Sequence, residues 1–185
     1  MKLSKIALIL CLMFFVCVGT GFAAETRLTG SFSGVGTKEC TNAPGFNSDY
    51  SATGPAWNVS GTLVFVYTFH PNGTGTAQIA DTTSGILPYE GGVYAAYGTG
   101  SFSFTYTLND GNITITVPSL TLQVTEGTGG SYTLTVTPGP TFVGAVSSDG
   151  NTITLTTSGL QVGTITPSTG GGGQSICLLT AILKR

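Results

Sequence analysis

The chain has 185 residues with a formal net charge of −2, and only 8% of its residues are charged. This scarcity of basic residues excludes the electrostatic footprint of a nucleic-acid-binding protein and gives no sign of attraction to an acidic membrane surface. The length suits one ordinary domain.

The first 24 residues have the pattern of a secretory signal peptide. Residues 1–5 form a short basic segment, and residues 6–18 are apolar. Residues 21–24 include small side chains of the kind found at a cleavage site. Because the apolar core is short for a membrane span, an uncleaved anchor is the weaker alternative. We therefore expect an exported protein, periplasmic, extracellular or at the cell surface, in which residues 25–185 form a single all-β domain.

Several stretches predict strands, with loops at 38–58 and 81–92. Strands are expected at 26–37, 59–70 and 93–108, followed by shorter strands as far as residue 183. In the hairpin 101–118, apolar residues occupy every second position before Asp110-Gly111, a favoured pair for a type I′ turn. The turns predict these facing pairs: Leu108 with Ile113, Tyr106 with Ile115, Phe104 with Val117, Tyr67 with Ala77, Phe65 with Ile79, and Val146 with Ile153.

Successive hairpins with one shared apolar face indicate an antiparallel meander of about ten strands. Such connections favour a closed up-and-down barrel over the alternative, a β-sandwich, because Greek-key sandwiches need longer crossings.

A secreted meander of this length resembles the lipocalin-like, or calycin-type, barrels. These carry a Gly-x-Trp motif near the start of the barrel, and the nearest match is Gly54-Pro55-Ala56-Trp57, one residue too long. The resemblance implies an apolar ligand held inside the barrel.

Two cysteines, Cys40 and Cys177, remain after the leader. In an exported protein an even pair suggests a disulfide. Cys40 is expected to follow the first strand and Cys177 to begin the last. A closed barrel with an even number of strands would bring these two points to the same rim, so we predict that the two cysteines are bonded.

No catalytic, metal or cofactor site is indicated. His70 is the one histidine, and no nucleophile or second ligand accompanies it at a useful spacing. Asp110 and Asp149 are explained by turn chemistry. The remaining loop acids, expected to be solvated, are Asp49, Asp81 and Glu90.

Candidate ligand-binding residues come from the apolar faces and from aromatic residues near the loops. Trp57, Tyr89, Tyr94 and Tyr97 could cover a ligand or stack on a sugar, or they could plug one end of the barrel. The interior candidates are Phe102, Phe104, Tyr106, Ile115, Leu122 and Leu134.

Four functions remain open at this point. The chain could bind a small apolar ligand in its interior, or it could be a structural or adhesive cell-surface protein with a filled core and a Thr-rich outside. An outer-membrane barrel is less favoured, because most strands are expected to be shorter than the ~9–11 residues that cross a membrane. An enzyme is the least supported, and no substrate class is implied.

Overall fold

The computed structural model describes residues 27–87, 92–169 and 171–185, so the predicted signal peptide lies outside the described residues. Each regular element of this part is a β-strand, and every strand pairing is antiparallel. The strands are β1 (Gly30–Ala43), β2 (Trp57–Phe69), β3 (Thr74–Ile86), β4 (Val93–Asn109), β5 (Asn112–Thr116), β6 (Leu120–Glu126), β7 (Ser131–Val136), β8 (Thr141–Val146), β9 (Thr152–Thr157), β10 (Gln161–Pro167) and β11 (Gly173–Lys184).

The sheet closes on itself, because β1 pairs with β2 on one side and with β11 on the other. Near one end the ring runs β1-β2-β3-β4-β5-β8-β9-β11, and near the other it runs β1-β2-β3-β4-β6-β7-β10-β11. The long strands β4 and β11 each change partner along their length, β4 from β5 to β6 and β11 from β9 to β10. At each level the ring therefore contains eight strands.

Short breaks explain why eleven strands make a ring of eight. Proline lacks an N–H for the sheet, and Pro118 separates β5 from β6 while Pro138 and Pro140 separate β7 from β8. The break between β9 and β10 falls at residues 158–160. The two strands of each broken pair run in the same direction, so that one continues the other from end to end of the ring.

The predicted all-β antiparallel meander is confirmed, and its first and last strands pair as a closed up-and-down barrel requires. The turns also behave as predicted, since Asp110 and Gly111 both have positive φ, at 49° and 77°. The sixth predicted pair, Phe104 with Val117, lies one residue beyond Thr105 and Thr116, the last paired residues of β4 and β5. The confirmed facing pairs are Leu108 with Ile113, Tyr106 with Ile115, Tyr67 with Ala77, Phe65 with Ile79, and Val146 with Ile153.

Two predicted loops are partly strand. Strand β1 continues to Ala43, so Cys40 lies within it, and β3 continues to Ile86 through the stretch expected to be irregular. Five strands have 12 to 17 residues and the other six have 5 to 7, so most strands are shorter than the ~9–11 residues that cross a membrane, as the sequence predicts. Residues 38–43 of β1 and 81–86 of β3 lack apolar alternation. They are extended because strands on both sides supply hydrogen bonds to their backbone.

The two ends of the ring differ. We call the end with the turns at 70–73, 110–111 and 147–151 the terminal rim, because Leu28 and Arg185 also lie there. The opposite end, the loop rim, carries the connections 44–56 and 127–130, together with the end of β10 and the start of β11.

Aromatic residues fill the half of the ring next to the terminal rim. Phe69 packs against Phe32 and Phe104 with ring centroids 5.5 and 5.2 Å apart, and it also contacts Tyr106 at 5.2 Å. The Arg185 guanidinium lies 4.9 Å above the Phe32 ring, and Arg185 also donates to the Thr29 carbonyl. This end of the ring is therefore closed by side chains.

Candidate functional site

Polar side chains face the interior in the half of the ring nearer the loop rim. We define the inner polar cluster as Lys38, Asp81, Thr83, Tyr94 and Tyr132. The Lys38 ammonium donates to the Asp81 carboxylate, and the Thr83 hydroxyl lies 3.2 and 3.3 Å from its two oxygens. The side chains of Lys38 and Asp81 are 9% and 3% exposed, so the ion pair is removed from bulk water.

Gly61 makes room for this pair. Lys38 lies on β1 and Asp81 on β3, with β2 between them, and Gly61 of β2 is the residue opposite Lys38. A Cβ at position 61 would come within 2.8 Å of Lys38 Cε, which is closer than real Cβ contacts. The lysine therefore reaches its partner across a position that has no side chain.

Two tyrosines complete the cluster. The Tyr94 and Tyr132 hydroxyls are 2.7 Å apart and hydrogen-bonded to each other. Burial, reinforced by the Tyr132 hydroxyl, raises the pKa of Tyr94 above its ordinary value of 10.0. Burial likewise raises the pKa of Tyr132. Both phenols stay protonated at neutral pH and can act as donors or acceptors.

A small cavity of about 40 Å³ adjoins the Lys38 side chain. Its walls are mostly apolar, with Leu63, Ile79 and Leu122 among them, and Ser175 adds a polar group. A water molecule needs ~10–15 Å³ measured in this way, so there is room for a few waters. A fatty acid would not fit without movement of the surrounding side chains.

The predicted interior candidates do face inward. Five of them are buried core residues, and Leu134 is half-buried against the same core. Leu122 and Leu134 line the small cavity, whereas the aromatic candidates pack against one another. The five buried residues are Phe102, Phe104, Tyr106, Ile115 and Leu122.

The predicted aromatic set does not form one group. Tyr94 packs against the core, but Tyr97 is 53% exposed on the outer face of β4 and neither plugs nor lines the interior. Trp57 is half-buried at the start of β2. Tyr89 lies outside the described residues, as does Glu90.

The prediction made for Asp81 is wrong. The sequence suggested a solvated loop acid, but Asp81 is a buried strand residue paired with Lys38. Nothing in the local sequence pattern around Lys38 indicates that it faces inward. By contrast, Asp49 is an exposed loop acid, and the Ser51 hydroxyl and N–H lower its pKa. His70 is exposed at the β2–β3 turn.

The outer surface carries a shallow cleft of about 380 Å³ under the loop that joins β1 to β2. Phe46 and Tyr50 of that loop line the cleft together with Leu178, and Glu39 supplies a carboxylate. Tyr50 has a φ of 65°, which is uncommon for a residue other than glycine. We call this feature the outer cleft.

A Gly-x-aromatic sequence does occur at the start of β1, as Gly30-Ser31-Phe32. Phe32 is fully buried under Arg185, whereas Gly54-Pro55-Ala56-Trp57 runs from a loop into β2.

No protein-family model matches the chain, and no curated protein matches its sequence significantly. Within residues 27–87, 92–169 and 171–185, no helix is long and apolar enough to cross a membrane. The same ranges contain no group of three His, Cys, Asp or Glu side chains placed to share a metal ion.

Proposed function

We propose that this chain is an exported structural or adhesive protein with a solid interior, which contacts its partners through its outer surface. The filled interior is the observation that carries this proposal. Ligand pockets usually measure ~300–1,000 Å³, whereas the cavity beside Lys38 measures about 40 Å³. We therefore propose that the likeness to lipocalin-like barrels concerns architecture rather than ligand storage.

The outside of the ring supports the same proposal. Tyr50, Leu178 and Glu39 bring an exposed aromatic ring, an exposed aliphatic side chain and a carboxylate to the outer cleft. Most of the other outward positions are Thr or Ser, as in the facing pair Thr37 and Thr180, whose hydroxyls are 3.0 Å apart. Cys40 of β1 and Cys177 of β11 form a disulfide, which is consistent with export to an oxidising compartment.

A specific observation keeps interior ligand binding as a second candidate. The small cavity borders Leu122 and Leu134, two residues predicted to bind an apolar ligand, and Lys38 could anchor a polar head. This candidate requires the cavity to expand on binding.

Titration of the purified exported protein with fatty acids, followed by Trp57 fluorescence and by calorimetry, separates the two candidates. The solid-core proposal expects no saturable signal. Saturable one-to-one binding that is lost in Leu134→Phe, which would fill the cavity, would overturn it in favour of interior binding.

Attachment of cells that export the chain tests the adhesive role. We expect Tyr50→Ser and Leu178→Ser to reduce attachment to protein-coated beads several-fold. Tyr97→Ser is the matched control, because it removes another exposed tyrosine from β4, away from the outer cleft. Equal attachment by all four proteins would count against the outer cleft as the adhesive surface.

A further inference from the structure

The Lys38 ammonium and the Asp81 carboxylate are in direct contact, as an amine and a carboxyl group must be to condense into an amide. Among the residues that the structure describes, this contact is the one ion pair, and both side chains are more than nine-tenths buried. Burying two charges costs free energy that their mutual attraction recovers only in part. A reaction that removes both charges while keeping the contact would relieve this cost.

We propose that Lys38 and Asp81 form a covalent amide bond between the lysine Nζ and the aspartate Cγ. A proton first passes from the ammonium to the carboxylate, giving an amine and a carboxylic acid. The nitrogen lone pair then attacks Cγ, and one carboxyl oxygen departs as water with two protons that came from the ammonium. The amide keeps the third proton on nitrogen, so the reaction needs no oxidant, reductant or co-reactant.

The fold supplies the positioning that this reaction requires. Strands β1 and β3 hold the two groups in contact, and Gly61 leaves the path between them open. Well-oriented groups within one molecule react as if at effective concentrations of ~10⁵–10⁸ M. The Thr83 hydroxyl, which contacts both Asp81 oxygens, can donate to the oxygen on which negative charge develops.

The bond would complete a covalent frame on one side of the ring. The disulfide already joins β1 to β11, and the amide would join β1 to β3 across β2. The four neighbouring strands β11, β1, β2 and β3 could then not separate fully even in denaturant. The inference stands whether or not the proposed adhesive function is correct.

Tryptic digestion gives a direct test, because after the leader the basic residues are Arg27, Lys38, Lys184 and Arg185. The exported protein is reduced, alkylated, denatured and digested. A free Lys38 allows release of peptide 28–38. An amide-linked Lys38 blocks that cleavage, so the proposal expects a 28–184 peptide lighter than its sequence by one water.

Asp81→Ala is the matched control, because it removes the carboxyl group and should release peptide 28–38 under the same conditions. Acetylation of Lys38 would also block cleavage, but it adds mass where the proposed bond removes it. Release of peptide 28–38 from most wild-type chains, with no deficit in the intact mass, would overturn the proposal. Neither result depends on attachment or on ligand binding.

Discussion

Cys40 and Cys177 lie directly opposite each other on β1 and β11, with Cα atoms 4.2 Å apart, and their sulfur atoms are bonded. The disulfide spans a sequence separation of 137 and joins the first strand to the last. It therefore ties together the two strands whose pairing closes the ring.

Removing this bond should destabilise the protein strongly. On the chain-entropy model, a loop of this length contributes up to ~5 kcal/mol by restricting the unfolded chain. We expect the double variant Cys40→Ala/Cys177→Ala to show a lower urea midpoint, while its circular dichroism remains that of a β protein. A midpoint equal to that of the oxidised wild type would contradict this account of ring closure.

Gly61→Ala should disturb the inner polar cluster. The new Cβ would come within 2.3 Å of the Thr82 carbonyl oxygen and 2.8 Å of Lys38 Cε, and overpacking of this kind costs ~1–3 kcal/mol. Gly159→Ala is the matched control, since a Cβ there meets nothing within 4 Å. The free energy of unfolding in urea checks both variants, and equal losses would argue against the cluster's role.

The β4–β5 turn should tolerate asparagine but not valine at position 111. Gly111 has a φ of 77°, and a β-branched residue is strained in that region whereas asparagine enters it more readily. We expect Gly111→Val to lower the melting temperature by several degrees and Gly111→Asn to lower it much less. Similar melting temperatures for the two variants would show that the backbone at the turn adapts.

Stability should fall at alkaline pH because of buried tyrosines. Burial raises the pKa of Tyr67 and of Tyr94 above 10.0 in the folded protein. Above pH 10 the unfolded chain therefore holds fewer protons than the folded one. Tyr67 then lowers the free energy of unfolding by up to ~1.4 kcal/mol per pH unit, and Tyr94, which is only partly buried, by less.

Tyr67→Phe isolates one of these contributions. We expect its stability to fall less steeply above pH 10 than that of the wild type, by up to ~1.4 kcal/mol per pH unit. Urea unfolding measured between pH 9 and pH 11 gives the slopes. Parallel slopes would mean that Tyr67 ionises as easily in the folded state as in the unfolded chain.

The sequence by itself determined the hairpins and their register. Phe102, Phe104 and Tyr106 alternate with small polar residues, and Asp110-Gly111 selects one turn geometry, so the interactions that set this pairing are local. The cysteine pair was also predictable, because a meander that closes on itself brings its first and last strands together.

Only the tertiary structure decided what faces inward along the strands that lack apolar alternation. The inward positions of β3 near the loop rim hold Asp81, Thr83 and Gly85, which by themselves suggest a loop. Their backbone is extended because β2 and β4 supply hydrogen bonds on both sides, and Asp81 is buried because Lys38 reaches it across Gly61. The burial of these residues therefore depends on strands distant in sequence, and no local periodicity encodes it.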